Sequence, residues 1–157
     1  EDGRFKMNPP LRSKEDKLAL IEGIKDGTID MIATDHAPHS AQEKSKGLEK
    51  SAFGIVGIET AFALMNTYFV RNGVITLEKL MDLLVFNARK RFNIPLNQND
   101  YTIWRLDEEI IVKSDDFISK GKAMPFENYR LFGKCYLTVC DGKTVYKDDL
   151  TYIQEEK

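Results

Sequence analysis

The sequence predicts an α/β chain whose last third turns into a β-rich segment. Three observations carry that expectation. A capped run with apolar residues at helical spacing is followed at once by a short apolar stretch of strand character. Two further runs with helical spacing come next, and the tail holds β-branched and aromatic runs around an Asp-Gly pair.

Taken in order, Ser13-Lys14-Glu15-Asp16 matches a helix start, with Ser13 as N-cap and Asp16 answering its backbone. Leu18, Ile21 and Ile24 then share one stripe, and Gly27 closes the helix. Ile29 to Thr34 is short, largely apolar and bounded by polar residues, which predicts a buried strand suited to parallel pairing. From Asp35 a connection of about 20 residues without periodicity runs through Ser51 to Phe53-Gly54-Ile55-Val56-Gly57, a length typical of functional loops. A helix is expected from about Ile58 to Arg71, with Ala61, Leu64, Met65, Tyr68 and Phe69 as its apolar side and Asn72-Gly73 as its end. Thr76 caps another, which carries Leu77, Leu80, Leu83 and Leu84 and runs to about Arg91. Past Pro95, Asn97 to Asp100 reads as a linker. Tyr101 to Trp104 and Glu109 to Val112 read as strands, and Asp141-Gly142 between Cys135–Cys140 and Lys143–Tyr146 is a hairpin signal.

Composition narrows the function. The 157 residues carry 23 Lys+Arg against 25 Asp+Glu, so no broad basic field exists to neutralise phosphates, and small molecules are the expected ligands rather than nucleic acid or an anionic membrane. No apolar run approaches the roughly 18 residues that span a bilayer. Cys135 and Cys140 are five apart, which in a strand places them on opposite faces, so they are expected unpaired in a reducing, cytoplasmic setting. The chain opens without an initiator Met or a signal peptide and reads as the continuation of something longer.

Asp35 follows the predicted strand directly, a position where α/β barrels and doubly wound sheets place catalytic groups. The only two histidines, His36 and His39, come next. Carboxylate and imidazole suit zinc, and a carboxylate can also shuttle a proton for a bound water. Equally, an Asp after a strand can be a turn residue, and a His beside Pro can be a loop residue bonded to backbone. A catalytic zinc usually takes three protein ligands, so this cluster is too small to hold a binuclear site alone. Asn8 precedes Pro9-Pro10, whose stiff backbone presents an amide able to donate and accept; the alternative is a plain turn before a helix. Gly54, after Phe53, permits close backbone approach to a ligand, or simply a turn.

Three blocks together, Lys6-Met7-Asn8-Pro9-Pro10-Leu11-Arg12, Ile32-Ala33-Thr34-Asp35-His36-Ala37-Pro38-His39 and Phe53-Gly54-Ile55-Val56-Gly57-Ile58-Glu59-Thr60, resemble in order and separation the C-terminal part of a dihydroorotase of the amidohydrolase superfamily. The resemblance continues weakly to Val145-Tyr146. It implies the C-terminal portion of a (β/α)8 TIM-type barrel over residues 1–95 and an appended β-rich segment over 96–157. It also implies reversible hydrolysis of the cyclic amide of (S)-dihydroorotate to N-carbamoyl-L-aspartate in pyrimidine synthesis. Asp35 then matches a metal-ligating aspartate that is general base and later general acid. Asn8 and His39 match substrate-contacting side chains, Phe53 and Gly54 match a loop whose backbone touches substrate, and His36 matches no ligand.

The implied cofactor is zinc, one or two ions in the full-length enzyme, and the implied assembly is a homodimer with aspartate transcarbamoylase as a further partner. The family's His-x-His, further histidines and bridging lysine or aspartate are absent from this chain, and Asn87-Ala88-Arg89 stands where the family reads Asn-Pro-Ala. A barrel of this type needs about 250 residues, so the expectation is a C-terminal fragment, inactive alone and prone to associate through uncovered apolar faces. Two other readings stand beside it. One is a hydantoinase- or allantoinase-type amidase, and the other is a metal-free dihydroorotase-like partner of aspartate transcarbamoylase.

Overall fold

The structure, a computed structural model, describes residues 1–148. Ser13 caps α1 (Lys14–Asp26) as expected, with the reciprocal Asp16 contact in place, and Gly27 at φ 88° closes the helix. Only Ile24 of the anticipated stripe is fully buried, while Leu18 is 52% exposed, because the core meets only the last turn of the helix.

Residues 29–34 correct the sequence reading. They join no ladder, and none of them is fully buried. A strand exists only through neighbours, and this segment's bonds run to helices instead, from the Ile29 N–H to the Gly23 carbonyl at 2.8 Å and from the Ile32 N–H to the Leu83 carbonyl at 2.9 Å. Its parallel character survives just beyond, as a single bridge between His36 and Ile55. Ile29 and Ile32 still pack on the helical core.

The long connection is less irregular than its sequence implies, since it contains two one-turn helices, α2 (Ala41–Lys44) and α3 (Gly47–Lys50). Next, α4 (Ala61–Met65) continues into a π-helical stretch, Asn66–Val70. Its apolar side also differs from expectation. Phe62, Ala63 and Asn66 are buried, whereas Tyr68 is exposed, because the helix lies between two cores rather than against one. Phe62 belongs to the cluster of Ile24, Ile75, Leu80 and Leu83; Ala63 belongs to that of Val56, Val112, Met124 and Leu131. Thr76 caps α5 (Leu77–Met81), which passes through a second π-helical stretch, Asp82–Phe86, into α6 (Asn87–Arg91).

The tail is a three-stranded antiparallel sheet in the order β1 (Tyr101–Ile111), β2 (Arg130–Cys140), β3 (Lys143–Lys147). The two expected strands before Val112 are one strand, interrupted by a shift in register between Arg105 and Glu109. Asp141 and Gly142, at φ 50° and 72°, make the predicted hairpin, with the backbone twist that two positive φ values provide. Asn97 to Asp100 docks on that turn, since Asp100 accepts from the Asp141 N–H at 2.6 Å. Both cysteines are free. The expected β-rich segment 96–157 extends past the described residues, and 149–157 lie outside them. No helix among the described residues is long and apolar enough to cross a membrane.

Asn66 joins helix to sheet at the irregular stretch of β1. Its amide donates to the Leu106 carbonyl at 3.0 Å and the Phe132 carbonyl at 2.9 Å, while Phe62 stacks on Trp104 with ring centroids 3.9 Å apart. Replacing Asn66 by Ala removes both bonds from a buried position and should lower stability by about 2 kcal/mol, measured by urea unfolding of the intact protein.

Candidate functional site

The three blocks singled out in the sequence lie on segments tied together by hydrogen bonds. Asp35 stands at φ 45°, a left-handed conformation that Asp tolerates better than most residues. Its side chain is exposed and has no hydrogen-bond or ion-pair partner among the described residues. His36 turns away from it. Its Nδ1 accepts from the Gly57 and Ile58 N–H groups at 3.2 and 3.3 Å, so the proton sits on Nε2, 3.3 Å from the Ser119 hydroxyl. Ser119 in turn donates to Glu59 at 2.5 Å, and Glu59 also accepts the N–H groups of Ile118 and Ser119. This chain of bonds fastens the segment before β2 to the segment carrying Asp35.

His39 lies 2.7 Å from the Phe53 carbonyl through Nε2. A carbonyl can only accept, so Nε2 carries the proton and Nδ1, 3.9 Å from Glu43, is the open nitrogen. Phe53 is 57% exposed. Gly54 has φ 117°, and a Cβ there would stand 2.5 Å from the Ala37 Cβ and 3.3 Å from His39 Nε2, so only glycine lets the two loops touch. The Gly54 N–H donates to the Lys6 carbonyl at 3.0 Å, which brings the segment leading to Asn8 alongside. Asn8 itself is exposed, lies before a cis bond to Pro9, and has no side-chain partner among the described residues.

The structure adds residues that the sequence reading missed. Lys44 is 5% exposed, and its ammonium donates to the carbonyls of Lys6, Ala52 and Gly54 at 3.0, 2.8 and 2.7 Å. Burial pushes its pKa down from the ordinary lysine value, with repulsion from Lys6 adding to the shift. The turn carrying Lys44 is set by Ser40 and Glu43, which cap each other as Ser13 and Asp16 do. That Ser-x-x-Glu spacing was the available signal. Gly121, from the segment before β2, presses on the Pro38-His39 backbone, where a Cβ would come within 2.8 Å. Neither Gly121 nor Ser119 carries a recognisable motif. Among the described residues no group of three or more His, Cys, Asp or Glu side chains is placed to hold a metal.

No family model matches the chain. The dihydroorotase of Fusobacterium nucleatum is 49% identical over 154 residues, covering 94% of this chain and 36% of that protein. The dihydroorotase of Staphylococcus aureus is 49% identical over 151 residues, again 36% of its length. Among solved structures, an L-hydantoinase (dihydropyrimidinase) of Arthrobacter aurescens superimposes with a TM-score of 0.84 at 30% identity, over 90% of this chain and 34% of that one. A D-hydantoinase (dihydropyrimidinase) of Thermus sp. has a TM-score of 0.83 at 22% identity, a likeness of fold. The chain thus spans about a third of the length of the relatives it matches.

Two outcomes follow from the loop geometry. Gly54→Ala should separate the two loops and break the His39–Phe53 contact, visible as a changed imidazole signal in the NMR spectrum. The Ser40 hydroxyl, followed by its N–H, holds the Glu43 carboxyl below its ordinary 4.5. A carboxyl depressed in the folded state contributes above the unfolded value and loses that contribution as pH falls through the folded one. The contribution of the cap is therefore fully present above pH 4.5 and is lost as pH falls further, through the lower folded value. A pH series of thermal melts should show this dependence, and Ser40→Ala should flatten it.

Proposed function

We propose that this chain is the C-terminal part of a dihydroorotase, acting on the cyclic amide of (S)-dihydroorotate within pyrimidine synthesis. The observation that carries the reading is 49% identity to curated dihydroorotases along 94% of the chain. The site described above supports it, since Asp35, Asn8, His39, Phe53 and Gly54 lie on segments tied together by hydrogen bonds to backbone. In this reading residues 1–95 are the last elements of an amidohydrolase barrel and 96–157 belong to a β-rich domain.

The reaction adds water across the ring amide. Asp35 takes a proton as the water oxygen attacks the carbonyl carbon, and returns it to the ring nitrogen as the carbon–nitrogen bond breaks, giving the carbamoyl and carboxylate ends. The exposed, unpaired carboxylate is suited to both transfers. Asn8 offers an amide donor and acceptor to the ring edge, His39 offers Nδ1, and the Phe53-Gly54 backbone lines the approach. The proposed enzyme depends on zinc, one or two ions, and Asp35 supplies one ligand. The described residues do not by themselves fit a zinc ion, so its other ligands are assigned to the remaining two thirds of the longer protein, and the chain alone is proposed to be inactive. A cytoplasmic homodimer, with aspartate transcarbamoylase as a further partner, completes the proposal.

The structural likeness to hydantoinases at 30% identity favours a second reading, hydrolysis of a hydantoin or another cyclic ureide. Assaying the intact protein with dihydroorotate and with hydantoin separates the two. Dihydroorotate is the expected substrate, and turnover of hydantoin alone would overturn the first reading. Asp35→Ala should lower kcat by about 10³-fold or more. Dialysis against a chelator should abolish activity and added zinc restore it; an intact protein holding no metal and showing no turnover would instead support a structural partner.

A further inference from the structure

Among the described residues Lys44 is the only charged side chain less than 9% exposed, and no carboxylate lies within ion-pair distance of it. Taking an ammonium out of water is costly unless its donors are all used. An ammonium has three N–H donors, and here each meets a carbonyl, from Lys6, Ala52 and Gly54. Those carbonyls are not scattered. Ala52 and Gly54 flank Phe53, and Lys6 lies two residues before Asn8.

The carbonyls of Ala52 and Gly54 accept from Lys44, while that of Phe53 meets His39 Nε2 at 2.7 Å. Lys44 and His39 together hold the carbonyls of three successive residues. The Lys6 carbonyl is shared between the Lys44 ammonium and the Gly54 N–H, so one cation sets the spacing of both loops. The lysine's own position is set in turn, because Ser51 Oγ donates to the Lys44 carbonyl at 3.0 Å and the Ala52 N–H donates to the Glu43 carbonyl at 3.1 Å.

We propose that Lys44 is a positioning residue of the substrate site, an internal cation that fixes the Phe53-Gly54 loop against the segment carrying Asn8. The inference rests on the reading of these residues as substrate contacts and extends it to a side chain that does not touch substrate. Its prediction is specific: loss of the ammonium loosens where the substrate sits more than it alters the proton transfers at Asp35.

The test compares the intact protein with its Lys44→Met and Lys44→Arg variants by hydrogen exchange and by steady-state kinetics with dihydroorotate. Lys44→Met should speed exchange of the Gly54 amide at least tenfold while α5 and β2 keep their protection. It should raise KM about tenfold or more and leave kcat within about threefold, the loss expected when charged hydrogen bonds are removed. Lys44→Arg, which keeps a cation, should recover part of the KM effect. Unchanged protection at Gly54, or a fall in kcat with KM unaltered, would overturn the proposal. Should Lys44→Met not fold, Lys44→Gln is read by the same criteria. If the unaltered protein turns over no cyclic amide, the activity reading fails, and the exchange comparison alone then decides whether Lys44 holds the loop.

Discussion

The face of this chain that carries its candidate chemistry depends on a buried cation satisfied by backbone carbonyls. Lys44 reaches three carbonyls belonging to two loops that are 38 and about 10 residues away in sequence. Irregular loops have no ladder to set their spacing, and each carbonyl left dry would destabilise the fold by a kcal/mol or more, at about 1–3 kcal/mol per group. A point charge with three donors satisfies the carbonyls of Ala52 and Gly54 and adds a second bond to that of Lys6, which also accepts from the Gly54 N–H. The one-turn helix that carries it is too short to stand on propensity, so the reciprocal Ser40–Glu43 cap and the Ser51 hydroxyl supply the support.

A second constraint links this face to the sheet. The segment before β2 lies over Pro38 and His39 at Gly121, and its Ser119 closes the bond sequence from His36 to Glu59. The Val56 N–H also donates to the Ala123 carbonyl at 3.0 Å. The β-rich tail therefore shapes the loop that bears Asp35. This explains how His36, beside the candidate catalytic group, can be fully occupied with structural bonds while Asp35 and Asn8 stay open.

Packing of the helices follows from α4 lying between two cores. Phe62 and Ala63, adjacent in sequence, face different clusters, and Asn66 turns toward the irregular part of β1. The widened turn that follows, closed by the Arg71 N–H to the Asn66 carbonyl at 2.9 Å, accommodates that placement. A helix with one buried face would have matched the 3.6-residue pattern of apolar residues; one shared between two cores does not.

Local chemistry was legible in the sequence wherever it acts over a few residues. The Ser13 cap, the Gly27 end, the Thr76 cap and the Asp141-Gly142 hairpin all depend on neighbours within about four positions, and each appears as read. The three motif blocks were also visible as blocks, and hydrogen bonds tie the segments that carry them. Tertiary structure alone decided the rest. Residues 29–34 have strand composition but form no ladder, because pairing is a property of neighbours rather than of a segment. Lys44 looked like one more charge in a polar run, since burial of a lysine is written in the distant carbonyls it meets, of which the nearest lies eight residues along the chain.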